Sequence, residues 1–211
     1  MDNRRQEQIK KAYDIAAEAY AEKCFFELYD KPLDKKLYDL FFERTVNRGP
    51  VLEIGCGPGE IANYLAIKGL PVTGIDISEK MIAVARRLNP HINFETGDVF
   101  RLRFSDGEIA GVVAPYLIVN FKEEDLIPAF LEIARVCRPG AAFLISFHTG
   151  GQDLIVSDFF VSGNTIPYTY FDSAVVVRLI TDAGFAIKEH IVRLPYEGEV
   201  TTRAYIFAER K

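Results

Sequence analysis

Three glycines at alternate positions, Gly55, Gly57 and Gly59, follow the apolar run Val51–Ile54 and lead into a helical stretch that opens with Glu60. A strand that ends in such a loop brings bare backbone against a ligand, because side chains there would block the approach. A dinucleotide loop spaces its glycines GxGxxG, so that amides at the helix start face a pyrophosphate. Here the third glycine comes one residue early, and Pro58 deletes an N–H where a phosphate needs a donor. Glu60 adds a carboxylate in the first helical turn, which repels a pyrophosphate. The loop suits a ligand without phosphates.

Other polar residues stand at telling places. Asp76 ends the next strand, positioned to accept from ribose hydroxyls or to cap the following helix. Asp98, in Gly97-Asp98-Val99 after a third strand, can accept from an adenine amino group or serve an ordinary turn. Ile77 and Met81 are placed to sandwich a purine. Glu53 inside an apolar strand calls for a cationic ligand group or an internal Arg or Lys, since an unpaired buried carboxylate is costly. His148 follows a buried strand on the same face, either as a general base or as a loop histidine without catalytic duty. Tyr168, Tyr170 and Phe171 wall an acceptor site or simply fill core. Arg203, among apolar neighbours, needs an anionic ligand or an acidic partner such as Glu197 or Glu199. Tyr13 and Tyr20 share a helix face and serve packing or a lid.

The elements that position these residues alternate. Ile9, Tyr13, Ala17 and Tyr20 fall at helical spacing, and a second amphipathic helix covers Leu33 to Val46. Strand Val51–Ile54 leads to helix Glu60–Lys68, stopped by Gly69. Strand Val72–Ile75 leads to a helix from the N-cap Ser78 to about Leu88, broken by Asn89-Pro90. Strands Ile92–Glu95 and Ile109–Ala114 follow. Leu126, Phe130, Ala134 and Cys137 then mark a helix with Pro128 in its first turn, ended by Arg138-Pro139-Gly140. Ala141–Phe147 is a buried strand, and residues 148–171 read as a loop with a short strand or two. Asp172 caps a helix with core face Val175, Val176, Leu179, Ile180 and Ala183, closed by Gly184. Strands Phe185–Leu194 and Thr202–Ala208 follow without a helix between them, so this last pair is antiparallel. Strands separated by helices form a parallel sheet with right-handed crossovers, whose ligands lie beyond the strands' carboxyl ends.

The chain of 211 residues suits one α/β domain, with 49% hydrophobic and 26% charged residues. Its net charge of −5, with no run of Lys or Arg beyond a pair, argues against a broad nucleic-acid or anionic-membrane footprint. The charged N-terminus lacks a signal-peptide core, and no apolar run reaches the ~18 residues of a membrane span. Cys24, Cys56 and Cys137 are too scattered for a disulfide framework or a zinc site, and read as free thiols in a reducing cytoplasm. No metal-ligand cluster is in view.

VLEIGCGPG, GIDIS, GDV and LEIARVCRPGAAFLIS, in this order from Val51 to Ser146, resemble the motifs of class I S-adenosylmethionine-dependent methyltransferases. The flanks YDIAAEAY, YTYF and TTRAYIFAER resemble a small-molecule subgroup. The resemblance implies an α/β, doubly wound, mostly parallel seven-stranded sheet with helices on both faces and an N-terminal helical extension. One domain spans 1–211, with a helical lid over 1–48, a cofactor-binding core over 49–147 and an acceptor-side region over 148–211. By position, Glu53, Gly55, Gly57 and Gly59 line the methionine end, whose ammonium answers Glu53. Asp76 holds the ribose, Ile77 and Met81 the adenine faces, and Asp98 with Val99 the adenine edge. Backbone around Ala114 and Tyr116 closes the pocket over the sulfonium, with Tyr13 and Tyr20 as lid contacts. Amino-methyltransferases of nucleic acids often carry (Asn/Asp)-Pro-Pro-(Tyr/Phe) after the fourth strand; Ala114-Pro115-Tyr116-Leu117 lacks that side-chain acceptor.

The expected activity is methyl transfer from S-adenosylmethionine to a small-molecule acceptor, leaving S-adenosylhomocysteine, with no metal, nucleic acid or membrane involved. His148 is the candidate base if the acceptor needs one. Two rival readings are an inactive cofactor-binding module acting through a partner, and a nicotinamide oxidoreductase. Acceptor identity and oligomeric state lie beyond the sequence.

Overall fold

The computed structural model describes residues 1–161 and 163–211. Helix α1 (Asn3–Cys24) starts where the Asp2 carboxylate accepts from the Arg5 N–H, and α2 (Pro32–Thr45) starts on a proline whose missing N–H costs nothing there. Strand β1 (Val51–Ile54), α3 (Glu60–Ile67), β2 (Val72–Asp76), α4 (Glu79–Leu88) and β3 (Asn93–Thr96) follow. Ser78 caps α4, its hydroxyl accepting from the Met81 N–H at 3.0 Å. Then come β4 (Ile109–Pro115), a 3-10 turn over Leu117–Asn120, α5 (Glu123–Val136) and the long β5 (Cys137–Thr149). A hairpin of β6 (Leu154–Val156) and β7 (Ile166–Tyr168) precedes α6 (Ser173–Asp182), β8 (Phe185–Arg193) and β9 (Thr202–Arg210).

Seven strands form one sheet in the order β3-β2-β1-β4-β5-β9-β8. Strands β1 to β5 pair in parallel, whereas β9 is antiparallel to both β5 and β8. The short β8–β9 connection leaves no length for a crossover, so the chain can only turn back. Strands β1 and β4 are buried along nearly their whole length because helices cover both faces, which is why they read as continuous apolar runs. The largest buried cluster lies under α5 and α6, and a second under α2, α3 and α4.

Two local expectations are corrected. Helix α5 begins at Glu123, so Pro128 sits beyond its first turn, tolerated at the expense of one ladder bond. That helix ends at Val136, and Arg138-Pro139-Gly140 belongs to β5, with a register shift against β4 between Ile109 and Gly111. Residues 148–171 form a loop with two short strands as read, β6 and β7 pairing as a separate two-stranded sheet; Ser162 within them lies outside the described residues.

Helix α1 lies across the carboxyl ends of the central strands. Ala17 and Ala21 let it pack closely on Met81 and Val84 of α4, while Ile9, Ala12 and Ala16 pack against Phe159 and Ile166 beside the hairpin. The hairpin and α1 together cover one end of the sheet. No helix among the described residues is long and apolar enough to cross a membrane.

Candidate functional site

The glycine turn after β1 is closed on itself. Gly55, Gly57 and Gly59 adopt φ of 72°, 50° and 84°, a region costly for residues with a Cβ. The N–H groups of Gly55 and Cys56 donate to the Ile75 carbonyl at 2.8 and 3.0 Å, and that of Gly59 donates to the Cys56 carbonyl at 2.9 Å. The Gly57 N–H donates to Asp76 Oδ2 at 3.0 Å, and Pro58 has none. Every amide from 55 to 59 is therefore spent, and a pyrophosphate would find no donor in this turn. Gly59 itself faces away from the ligand side: a Cβ there would stand 2.6 Å from the Phe94 ring.

Asp76 is tied to the backbone on both sides of it, at Gly57 and at Ser78, while Ser78 is the residue that caps α4. Its Oδ1 accepts from the Ser78 N–H at 2.8 Å, which ties β2 to the start of α4, and the side chain also borders the central cavity. Burial pushes its carboxyl up to about 6 against two backbone donors that favour the anion. Asp98 accepts from the Phe100 N–H at 2.9 Å and from Gln6 Nε2 of α1 at 2.7 Å, so the carboxylate after the third strand meets α1.

Two acids beneath the turn each keep one oxygen without a partner, although the Ala62 N–H reaches the Glu53 carboxylate. Glu53 is 1% exposed, and its Oε2 has no hydrogen bond; the shielded Oε2 of the half-buried Glu60 has none either. No ion pair reaches either side chain among the described residues, which removes the internal Arg or Lys as Glu53's partner. Burial pushes the Glu53 carboxyl far up, the neighbouring Glu60 adding repulsion, and pushes Glu60 to about 7. The turn thus carries a latent negative charge that a buried cation would relieve.

A cavity of about 290 Å³ runs from this turn along the strand ends. One end is bordered by Gly55, Gly57, Asp76, Ile77, Met81, Asp98 and Val99, and the other by Tyr116, His148, Tyr168 and Arg203. Tyr13 and Tyr20 of α1 border it from above. Glu53, Gly59, Glu60 and Ala114 are not on its wall; Ala114 is wholly buried in β4. Tyr116 is held at φ 52°, a left-handed conformation that costs a bulky residue roughly 1–3 kcal/mol, with its N–H donating to the Ser146 carbonyl at 2.8 Å.

The far end is aromatic and cationic. His148 and Arg203 face one another across β5 and β9. The His148 ring lies 5.2 Å from that of Tyr116 and 5.8 Å from that of Tyr168, and its Nδ1 is 2.9 Å from Thr201 Oγ1. Burial, with the positive charges of Arg203 and Lys31, pushes the imidazole down to about 3, so it is neutral at ordinary pH and a weak base. Arg203 is 8% exposed; its Nε donates to the Tyr116 hydroxyl at 3.2 Å and its Nη1 to the Thr201 carbonyl at 2.7 Å. Of the two expected acidic partners Glu199 is the one in reach, at 3.7 Å, but it is held by Arg193 at 2.5 and 3.0 Å.

Sequence reasoning passed over Asn120, although it interrupts the apolar stretch Leu117–Phe121. Its Oδ1 accepts from the Tyr13 hydroxyl at 2.9 Å, its Nδ2 donates to the Pro167 carbonyl at 2.7 Å, and its own carbonyl accepts from Arg5 Nη2 at 2.9 Å. One buried amide thereby fastens α1 and the hairpin to the end of β4. Asp14 does likewise toward α4, accepting from the Ser78 hydroxyl at 2.7 Å and from Lys10 at 2.9 Å. Nothing in the local sequence marks these pairs, which join residues far apart in the chain.

Residues 51–140 match the model of a methyltransferase domain. The chain is 31% identical over 134 residues to a putative methyltransferase, YqeM, of Bacillus subtilis, covering 59% of this chain and 54% of that protein. It is 36% identical over 96 residues to the demethylmenaquinone methyltransferase of Chlorobaculum parvum, covering 45% and 39%. The chain thus spans about half or less of the length of these curated relatives. Among solved structures, magnesium protoporphyrin IX methyltransferase from Synechocystis with bound S-adenosylmethionine superposes with a TM-score of 0.73 at 17% identity, covering 100% of this chain and 98% of that one. The PH0226 protein of Pyrococcus horikoshii superposes at 0.71 and 22% identity, covering 87% and 91%. These likenesses establish the fold.

Proposed function

We propose that this chain, which carries a class I methyltransferase domain, binds S-adenosylmethionine and passes its methyl group to a small-molecule acceptor. The observation that carries the reading is the pair of buried carboxylate oxygens without partners, Oε2 of Glu53 and Oε2 of Glu60, under a glycine turn with no amide to spare. That combination suits an ammonium and refuses a pyrophosphate, which separates a methyl donor from a nicotinamide dinucleotide.

The residues present fit the donor. Glu53 and Glu60, set behind the cavity wall, would answer its ammonium through water beside the backbone of Gly55 and Gly57, with Gly59 keeping the turn packed on Phe94. Asp76 keeps lone pairs free for ribose hydroxyls beyond the two backbone donors it already accepts from. Ile77 and Met81 would cover the adenine faces, with Asp98 and Val99 at its edge. The backbone of Ala114 and Tyr116 would border the reacting end, and Tyr13 and Tyr20 would close the lid.

When bound, the sulfonium supplies an electrophilic methyl group, so the protein chiefly has to align the acceptor and exclude water. Helix α1, latched by Asn120 and Asp14, does the excluding. His148, neutral and weakly basic, shapes the acceptor end and offers a hydrogen bond rather than removing a proton. The small-molecule reading is supported by the cover of α1 and the hairpin over the cavity, and by relatives named for menaquinone and porphyrin substrates. Calorimetric titration tests the reading: S-adenosylhomocysteine should bind and NAD should not. Binding of NAD alone would overturn it, and donor binding without product across a broad acceptor panel would leave a binding module.

A further inference from the structure

The cavity has a second end that the methyl donor does not explain. Arg203 is buried at its wall, directly opposite His148 across β5 and β9. Two of its nitrogens are engaged, Nε by the Tyr116 hydroxyl and Nη1 by the Thr201 carbonyl. Nη2 makes no hydrogen bond among the described residues and reaches only Glu199 Oε1, at 3.7 Å. Glu199 cannot serve as a full counter-ion, because both its oxygens are bonded to Arg193 and one also accepts from the Tyr196 N–H.

A second cation converges on the same place. Lys31 Nζ stands 5.7 Å from the Tyr116 ring centre and the Arg203 guanidinium 5.6 Å from it, and both side chains border the cavity. Lys31 is paired with Glu27 at 2.5 Å, and Arg193 is shared between Glu199 and Asp34, the latter at 3.6 Å, so Arg203 is the cation of this cluster whose counter-ion stands farthest off, at 3.7 Å. Tyr116, His148 and Tyr168 present ring faces around these cations. A buried guanidinium with an idle Nη2 suits an oxyanion, since charge-assisted hydrogen bonds are the strong ones. The surrounding rings suit a flat, conjugated body.

Resting on the methyltransferase reading above, we infer that the acceptor is a flat ring-bearing anion whose acidic oxygen, a carboxylate or an ionised phenol or enol, docks on Arg203 with its ring between Tyr116, His148 and Tyr168. Arg203 is then the residue that sets acceptor specificity. A neutral isostere would leave the guanidinium desolvated and unanswered, and would be rejected for that reason.

The test uses matched probes on the full chain saturated with S-adenosylhomocysteine. 2-Naphthoate and its neutral isostere 2-naphthamide are titrated by calorimetry, with 4-nitrophenol above and below its ionisation as a second oxyanion. Naphthoate should bind at least about ten-fold more tightly than naphthamide, in line with a hydrogen bond to a charged group. Arg203→Met should abolish that preference while leaving S-adenosylhomocysteine affinity in place, and Arg203→Lys should retain part of it. Lys31→Met, on the α1–α2 link, should reduce the preference and gives a second reading if the Arg203 variants fail to fold. Equal affinity for the two probes, no binding of either, or a preference that survives Arg203→Met and Lys31→Met would overturn the inference. Absence of S-adenosylhomocysteine binding would instead sink the donor assignment, and naphthoate titrated into the free protein would still decide the anion site.

Discussion

Glu60 makes the sharpest residue-level prediction, because its carboxyl is pushed up from the usual range to about 7 by burial. An acid whose folded-state pKa is raised contributes stability that is full below its unfolded value and is lost as pH rises through the folded one. The unliganded protein should therefore lose stability across neutrality, read as a falling denaturant midpoint from about pH 6 to about pH 8, and Glu60→Gln should flatten that slope. Over the same interval S-adenosylhomocysteine should bind more tightly to the wild type, since only the ionised carboxylate attracts its ammonium, and the Gln variant should show no such rise. Asp76→Ala should weaken donor binding by about 1–3 kcal/mol, the worth of hydrogen bonds to a buried acceptor. Unchanged affinity in calorimetry would leave Asp76 as a turn anchor only. His148→Gln should keep the shape of the turnover–pH profile between about pH 5.5 and about pH 8, because an imidazole pushed down to about 3 is already neutral there. An inflection near neutrality that disappears in the variant would restore it as a base.

Helix α1 is held to the body of the protein by polar side chains as much as by packing. Asn120 is the only side chain that bonds both α1, through Tyr13, and the hairpin, through the Pro167 carbonyl, among the described residues. Asn120→Ala would leave the Tyr13 hydroxyl and that carbonyl without partners, a cost of about 1–3 kcal/mol. The loss should concentrate in α1, since helix and hairpin can open while the sheet stays intact. Hydrogen exchange is expected to speed up over residues 3–24 in Asn120→Ala and to slow again when S-adenosylhomocysteine is added. Uniform acceleration through β1, β4 and β5 would show that α1 is not a separable cover. The sequence marked this helix by the spacing of Ile9, Tyr13, Ala17 and Tyr20, yet that spacing shows only that one face is apolar. What the face meets, Met81 and Val84 on one flank and Phe159 and Ile166 on another, depends on chain segments far from it.

For the molecule as a whole, a ligand that binds only the folded state should raise its stability by about 2.7 kcal/mol at one hundred times its dissociation constant. S-adenosylhomocysteine should do so and NAD should leave the melting midpoint unmoved; the reverse pattern would return the chain to the dinucleotide binders. The alternation of strands and helices, the antiparallel final pair and the glycine turn were all legible from residue order, because periodicity and turn chemistry are local. Pro58 and Glu60 already marked the turn as hostile to phosphates, and the structure added the reason that counts most, an Asp76 carboxylate occupying the Gly57 amide. The two open alternatives for Glu53 and Arg203 could not be closed that way. Whether a buried charge is answered depends on which side chains reach it from other strands, and only the folded chain sets Glu53 without a cation and gives Glu199 to Arg193 before Arg203. The sequence by itself determined the fold and the glycine turn, since both are written in contiguous segments. The tertiary structure alone decided the fastening of α1 through Asn120 and the cationic end of the cavity, because these are assembled from residues that meet only when the sheet order brings β4, β5 and β9 together.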